Sequence, residues 1–160
     1  MLRPILRYGD QGLHVPAQPV ASITADTQTL IDDMIETLYA APGVGLRLFV
    51  IDLSVGRATG DLIVMINPEF VERDGMQLEE EGCLSVPGFN ATVVRPARVV
   101  CAGLDRDGTP QRVEGTELLA RAFQHEMDHL EGTLFVDRLR GIKRDMIVRR
   151  IQKLKRAGRW

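Results

Sequence analysis

The sequence predicts an α+β fold, with mostly antiparallel strands packed around one central helix and a further helix at the C-terminus. Three observations carry this prediction. Apolar residues recur at helical spacing in residues 26–39, 117–130 and 141–156. Several short runs rich in branched apolar residues lie between the first two of these stretches. Asp107-Gly108 is a hairpin turn signal, which returns the chain antiparallel to itself. Helix, strands, helix, helix is an α+β order.

In the first helical stretch, Leu30, Ile31, Met34, Ile35 and Leu38 form the apolar face. Thr24 and Asp26 are its candidate caps, and Pro42 and Gly43 end it. Leu48 to Leu53 and Leu62 to Ile66 read as strands, the second broken by Asn67-Pro68. Glu79 to Gly88 reads as a polar loop running into a short extended segment. Arg98 to Leu104 is a strand, and Gln111-Arg112-Val113 is its return. In the central helix, Leu118, Leu119, Ala122, Phe123, Met127 and Leu130 repeat at helical spacing. Thr116 can cap its start and Gly132 can close its end. The last helix carries Ile147, Ile151 and Leu154 on one face.

A chain of 160 residues fits one domain, residues 1–160, and can bury a core without disulfide staples. Its 44% hydrophobic and 26% charged residues are those of an ordinary globular protein. No apolar run is long enough to span a bilayer, and the first residues lack the apolar stretch of a secretory signal. The expected location is cytoplasmic. Cys83 and Cys101 are then expected to stay reduced, leaving Cys83 free for metal or chemistry.

The net charge of −2 hides an asymmetry. Residues 143–160 hold eight Lys/Arg against a single acid, Asp145. Such a basic end on an acidic body suggests an anionic surface as partner, nucleic acid in particular. A solvated terminal helix is the alternative.

The strongest local signal is His125-Glu126-Met127-Asp128-His129. Histidines four apart share one helix face and can grip one metal. Glu126, beside the first of them, can serve as general base toward a water on that metal. These are two of only three histidines in the chain, on an otherwise apolar helix, where unpaired imidazoles would be costly. A catalytic site also needs a third ligand and an open position. His14 lies far off in an N-terminal loop, and Cys101 reads as a small apolar thiol in a strand. Cys83, following Gly82, is better placed in kind. A thiolate with two neutral imidazoles suits iron(II) as well as zinc.

Glu81-Gly82-Cys83-Leu84-Ser85-Val86-Pro87 and Gln124-His125-Glu126-Met127-Asp128-His129-Leu130 resemble the second and third signature motifs of peptide deformylases. The similarity extends over nearly the whole chain. It includes Ile5 to Asp10, the turn at Asp105 to Gly108, and Gly132-Thr133-Leu134-Phe135.

The resemblance implies a metal-dependent hydrolase. It would remove the formyl group from the N-terminal formylmethionine of nascent polypeptides and release formate. Cys83, His125 and His129 would hold one divalent metal, Fe²⁺ natively, with Zn²⁺, Ni²⁺ or Co²⁺ as substitutes. Glu126 would move the proton from water to the leaving amine. The Leu84 backbone N–H would help hold the oxyanion. Val44 and Gly45 would lie against the substrate, with Leu118 and Ala122 beside the methionine pocket. Glu81 and Arg95 would pair to steady the cysteine loop. The basic residues 143–160 would face the ribosome.

One departure stands out. The family's first motif has the form G-x-G-L-A-A-x-Q, and its glutamine amide is the second oxyanion donor. Gly43-Val44-Gly45-Leu46 matches the first half, and Arg47 follows at once. A true deletion would leave a weak or silent deformylase-like protein that binds metal or the ribosome. The other explanation is an interrupted chain, with residues lying between Leu46 and Arg47. Strain in a strand butted onto a glycine turn favours the interruption. An HExxH metallopeptidase is a further alternative, disfavoured by an upstream cysteine ligand.

Overall fold

The computed structural model describes residues 4–37, 45–58 and 60–160. A short 3-10 turn, Gln11–His14, precedes helix α1, Ala25–Thr37. Thr24 caps α1: its Oγ1 accepts from the Thr27 N–H at 3.3 Å, and the Thr27 hydroxyl accepts from the Thr24 N–H at 3.3 Å. The end expected near residue 39 lies outside the described residues.

Strands β1 (Leu48–Asp52), β2 (Leu62–Asp74), β5 (Arg98–Leu104) and β6 (Pro110–Thr116) form a four-stranded sheet in the order β1-β2-β5-β6. Strands β3 (Gln77–Gly82) and β4 (Asn90–Arg95) form a second sheet of two. Every strand pair is antiparallel. The expected α+β architecture is the one found.

Two strand expectations are corrected. Asn67-Pro68 does not end β2, which continues to Asp74. The register against β5 slips between Ile66 and Glu69, so Pro68 falls at an irregularity that needs no ladder donor. Asn67 adopts φ 50° there, and its side-chain amide exchanges two bonds with the Val20 backbone, at 2.8 and 2.9 Å. The polar run Glu79–Glu81 is strand, not loop. An ion pair supplies the buried side that apolar alternation would otherwise supply: Glu81 is buried against Arg95, while Leu78 to Glu80 face solvent.

Helix α2, Glu117–Leu130, lies across the larger sheet. Ala120, Phe123, Met127 and Leu130 pack among Phe49, Ile51, Met65, Val99 and Cys101. Each such large apolar side chain, fully buried, contributes about 1.5–3 kcal/mol. Glu131 and Gly132 (φ +76°) close α2, and the Gly132 N–H returns to the His129 carbonyl at 3.1 Å. A Cβ at Gly132 would lie 2.9 Å from the His14 and Val15 backbone, so only glycine fits. A short helix α3, Phe135–Arg138, then leads to α4, Ile142–Arg156. Ile147 and Ile151 bury α4 in a second core with Phe135, Val86 and Val93. The Trp160 indole N–H donates to the Tyr8 carbonyl at 3.0 Å.

The chain is continuous through Leu46 and Arg47. The Leu48 N–H donates to the Leu46 carbonyl at 2.9 Å, a γ-turn whose three residues must be covalently successive. Gln18 brackets the turn, donating to the Gly45 carbonyl at 2.8 Å and accepting from the Arg47 N–H at 2.7 Å. The expected interruption is therefore corrected. The strain argument fails because the γ-turn and this bridge absorb the junction.

Candidate metal centre and catalytic cleft

The helical spacing places the His125 and His129 rings on one face of α2, their Nε2 atoms 3.3 Å apart. Cys83 reaches the same point from the turn after β3, its Sγ 3.4 Å from His129 Nε2. That turn is fixed from two sides. The Val86 N–H closes on the Cys83 carbonyl at 2.9 Å, and the Tyr8 N–H donates to the Ser85 carbonyl at 2.8 Å. The ligand atoms of Cys83, His125 and His129 all lie within 4.8 Å of one another.

The donor set fits a metal. His125 Nδ1 faces Glu81 Oε2 at 3.2 Å. An ionised carboxylate only accepts, so Nδ1 carries a hydrogen, and it is Nε2 that presents a bare lone pair once the ring is neutral. Two imidazole nitrogens and a sulfur thus point at one spot, which a borderline-soft divalent cation satisfies.

Glu81 is fixed in turn. Arg95 Nε and Nη2 donate to its two oxygens at 2.7 and 2.9 Å, and both side chains are buried. Burial alone would raise the Glu81 carboxyl, but Arg95 and His125 outweigh it and hold the group at about 2. The expected Glu81–Arg95 pair is present.

The same competition sets the ligands' protonation. Burial pushes the Cys83 thiol up, yet His125 and His129 beside it bring it down to about 6. Burial likewise opposes charge on His125, but Cys83 and Glu81 prevail and raise it to about 10. Metal needs the thiolate and the neutral imidazole. Between about pH 6 and 10, metal uptake therefore displaces about one proton, from His125. Affinity is expected to rise about tenfold per pH unit across that window. Calorimetric titration with Co²⁺ at about pH 7.5, in buffers of different ionisation enthalpy, should return about one proton released. A value of zero would contradict this protonation scheme.

The centre opens into a cleft of about 390 Å³. Leu84, Leu118, Ala122 and Glu126 line it beside the three ligand residues. Glu126 is half-buried, and Leu84 and Leu118 are exposed at the mouth. Among the described residues, the Leu84 backbone N–H has no acceptor. Sequence reasoning missed further parts of the wall, among them Met34 of α1, Phe49 of β1 and Arg121 of α2. Arg121 stands three residues after Leu118 and four before His125, so helical spacing could have found it. Nothing in the sequence marks Phe49 or Met34.

Val44 lies outside the described residues. Gly45 is not among the cleft's described lining, because the short connection ties its carbonyl to Gln18. His14 is exposed, its Nε2 accepting from the Gly9 N–H at 3.2 Å. Cys101 is a buried thiol that burial pushes up to about 12, an inert core residue.

Residues 2–145 match the family model described as polypeptide deformylase. The peptide deformylase of Acidobacterium capsulatum is 47% identical over 169 aligned positions, covering 100% of this chain and 99% of that protein. That of Xylella fastidiosa is 46% identical, covering 98% of each. An alignment of 169 positions exceeds the 160 residues here, so the Acidobacterium relative carries residues that this chain lacks. Among solved structures, a peptide deformylase from Legionella pneumophila superposes with a TM-score of 0.89 at 44% identity, covering 99% of this chain and 98% of that one. The peptide deformylase from Thermus thermophilus gives a TM-score of 0.86 at 33% identity, covering 96% of this chain and 95% of that one. With the ligand atoms, the cleft and these matches in agreement, the chain belongs to the polypeptide deformylase family.

Proposed function

We propose that this chain removes the N-formyl group from the N-terminal formylmethionine of nascent polypeptides. The products are formate and a free N-terminal amine. The observation that carries the reading is the convergence of Cys83, His125 and His129 beside Glu126 in one cleft.

Cys83, His125 and His129 would hold one divalent metal, Fe²⁺ natively, with Zn²⁺, Ni²⁺ or Co²⁺ able to substitute. When bound, such a metal supplies Lewis-acid activation of water and of the formyl oxygen. The Glu126 carboxylate accepts a proton from the attacking water. It returns that proton to the peptide nitrogen as the C–N bond of the formamide breaks. The Leu84 N–H, exposed at the cleft, donates to the oxygen that gains charge. Leu118 and Ala122 give the methionine side chain an apolar wall. Glu81, held by Arg95, keeps His125 in the tautomer that leaves Nε2 free.

The missing half of the first motif removes the glutamine donor of the family. Loss of one oxyanion donor costs about 10²–10³ in rate, so the enzyme is expected to be slow while binding metal normally. The test compares formyl-Met-Ala-Ser with its acetylated and unblocked forms. Formate from the first alone supports deformylation. Internal cleavage of the unblocked peptide would make the chain a metallopeptidase instead.

We read residues 1–160 as one cytoplasmic domain. Among the described residues no helix is long and apolar enough to cross a membrane. The ribosome is the proposed partner of the basic residues 143–160. Support comes from Arg149, Arg150, Lys153 and Arg156, which are exposed on α4. Deleting α4 would strip Ile147 and Ile151 from the core, so charge removal is the cleaner test. Changing these four residues to Gln is expected to abolish cosedimentation with ribosomes at low salt. Unchanged cosedimentation would refute the docking role.

A further inference from the structure

The Glu81–Arg95 pair does not end at Arg95. On its other side, Arg95 Nη1 donates to Asp128 Oδ2 at 2.6 Å. Asp128 lies on α2 between the two ligand histidines, with its side chain 6% exposed. Its carboxylate is then gripped by Arg138 of α3, whose Nε donates to Oδ2 at 2.5 Å while Nη2 donates to Oδ1. An unbroken line of charged hydrogen bonds thus runs Arg138–Asp128–Arg95–Glu81–His125 Nδ1. Only its outer member meets solvent substantially, at 46% of the Arg138 side chain.

Charge explains why the outer member matters. Arg95 is 1% exposed and faces two buried carboxylates, Glu81 and Asp128. Those three groups alone carry one uncompensated negative charge in the interior, which is costly. Arg138 makes the set neutral and satisfies both Asp128 oxygens in a two-pronged pair. Without it, Asp128 would compete with Glu81 for Arg95. Arg95 has only one guanidinium edge turned to each, so any shift toward Asp128 loosens its grip on Glu81. Glu81 Oε2 is what fixes the His125 ring.

We propose that Arg138 and Asp128 are positioning residues for His125, setting the affinity and geometry of the metal centre from outside the cleft. Neither lines the cleft that holds Glu126. The inference rests on the reading of His125 as a metal ligand. Direct partners of ligating histidines typically alter metal affinity about 10- to 100-fold when removed. Arg138 acts through three intermediaries, so the lower end of that range, about tenfold, is expected.

The test uses the full chain and Co²⁺. Its dissociation constant is measured by chelator competition, the visible Co²⁺ spectrum is recorded, and thermal unfolding is followed alongside. Arg138→Ala should weaken Co²⁺ binding about tenfold and shift the ligand-field bands. Arg138→Lys, which keeps the charge but not the two-pronged geometry, should fall between it and the parent. Asp128→Asn should act like Arg138→Ala. A lower melting temperature with unchanged Co²⁺ affinity and spectrum would reduce Arg138 to a structural role and overturn the proposal. If Arg138→Ala does not fold, the Lys variant decides, and parental affinity there overturns it. Failure of the parent chain to bind Co²⁺ would instead refute the ligand reading on which this one stands.

Discussion

Glu126→Gln is expected to lower kcat for formate release by about 10²–10⁴-fold without changing metal content. The substitution preserves size and hydrogen-bonding shape but removes the ability to take a proton. Glu126 is half-buried and lines the same cleft as Cys83, His125 and His129. It is not among the three converging ligand residues, so the metal should stay. Steady-state formate release, paired with elemental analysis of the same sample, checks both halves. Loss of metal together with activity would make Glu126 a ligand. Activity within a few-fold of the parent would assign the proton transfer to another group.

Restoring the second half of the first motif is expected to raise kcat by about 10²–10³-fold. At present the junction is a γ-turn at Leu46 to Leu48, clamped by Gln18. That arrangement brings no side-chain amide to the centre. The one donor assigned to the developing oxyanion is the Leu84 N–H. Inserting the missing Ala-Ala-x-Gln half of the G-x-G-L-A-A-x-Q form after Leu46 would supply the glutamine. The gain should appear in kcat at equal metal content, since Cys83, His125 and His129 are untouched. An insertion variant that folds, binds metal and shows no gain would mean that the present chain already stabilises the oxyanion by other means.

The convergence of Cys83, His125 and His129 was legible because each of them has a sequence signal. Spacing of four puts His125 and His129 on one helix face, and Cys83 sits in a motif whose neighbours could be matched residue by residue. The boundaries of α2 and β5 followed from apolar periodicity, which packing against the sheet enforces. Other features carry no such signal. Strand β3 was hidden because its buried side is an ion pair, and Glu79–Glu81 reads as solvated charge until Arg95 is brought opposite. The length of β2 was hidden because Asn67-Pro68 is a breaker unless a register slip accommodates it. Helix α3 is a single turn, too short for periodicity to register. Nothing in the sequence marks Arg138, whose pairing with Asp128 forms only in the folded chain, across the turn at Gly132. Phe49 and Met34 enter the cleft through tertiary packing alone. The junction at Leu46 was judged by strain, and the γ-turn shows how little strain a short connection need store.

The most direct test of the whole account is formate release by the purified chain. It should be loaded anaerobically with one equivalent of Fe²⁺, supplied with formyl-Met-Ala-Ser, and compared with a chelator-stripped control. The account predicts slow but clear formate release from the iron-loaded protein and none from the control, with activity returning when Fe²⁺ is added back. No formate from protein that demonstrably holds its metal at Cys83, His125 and His129 would contradict it.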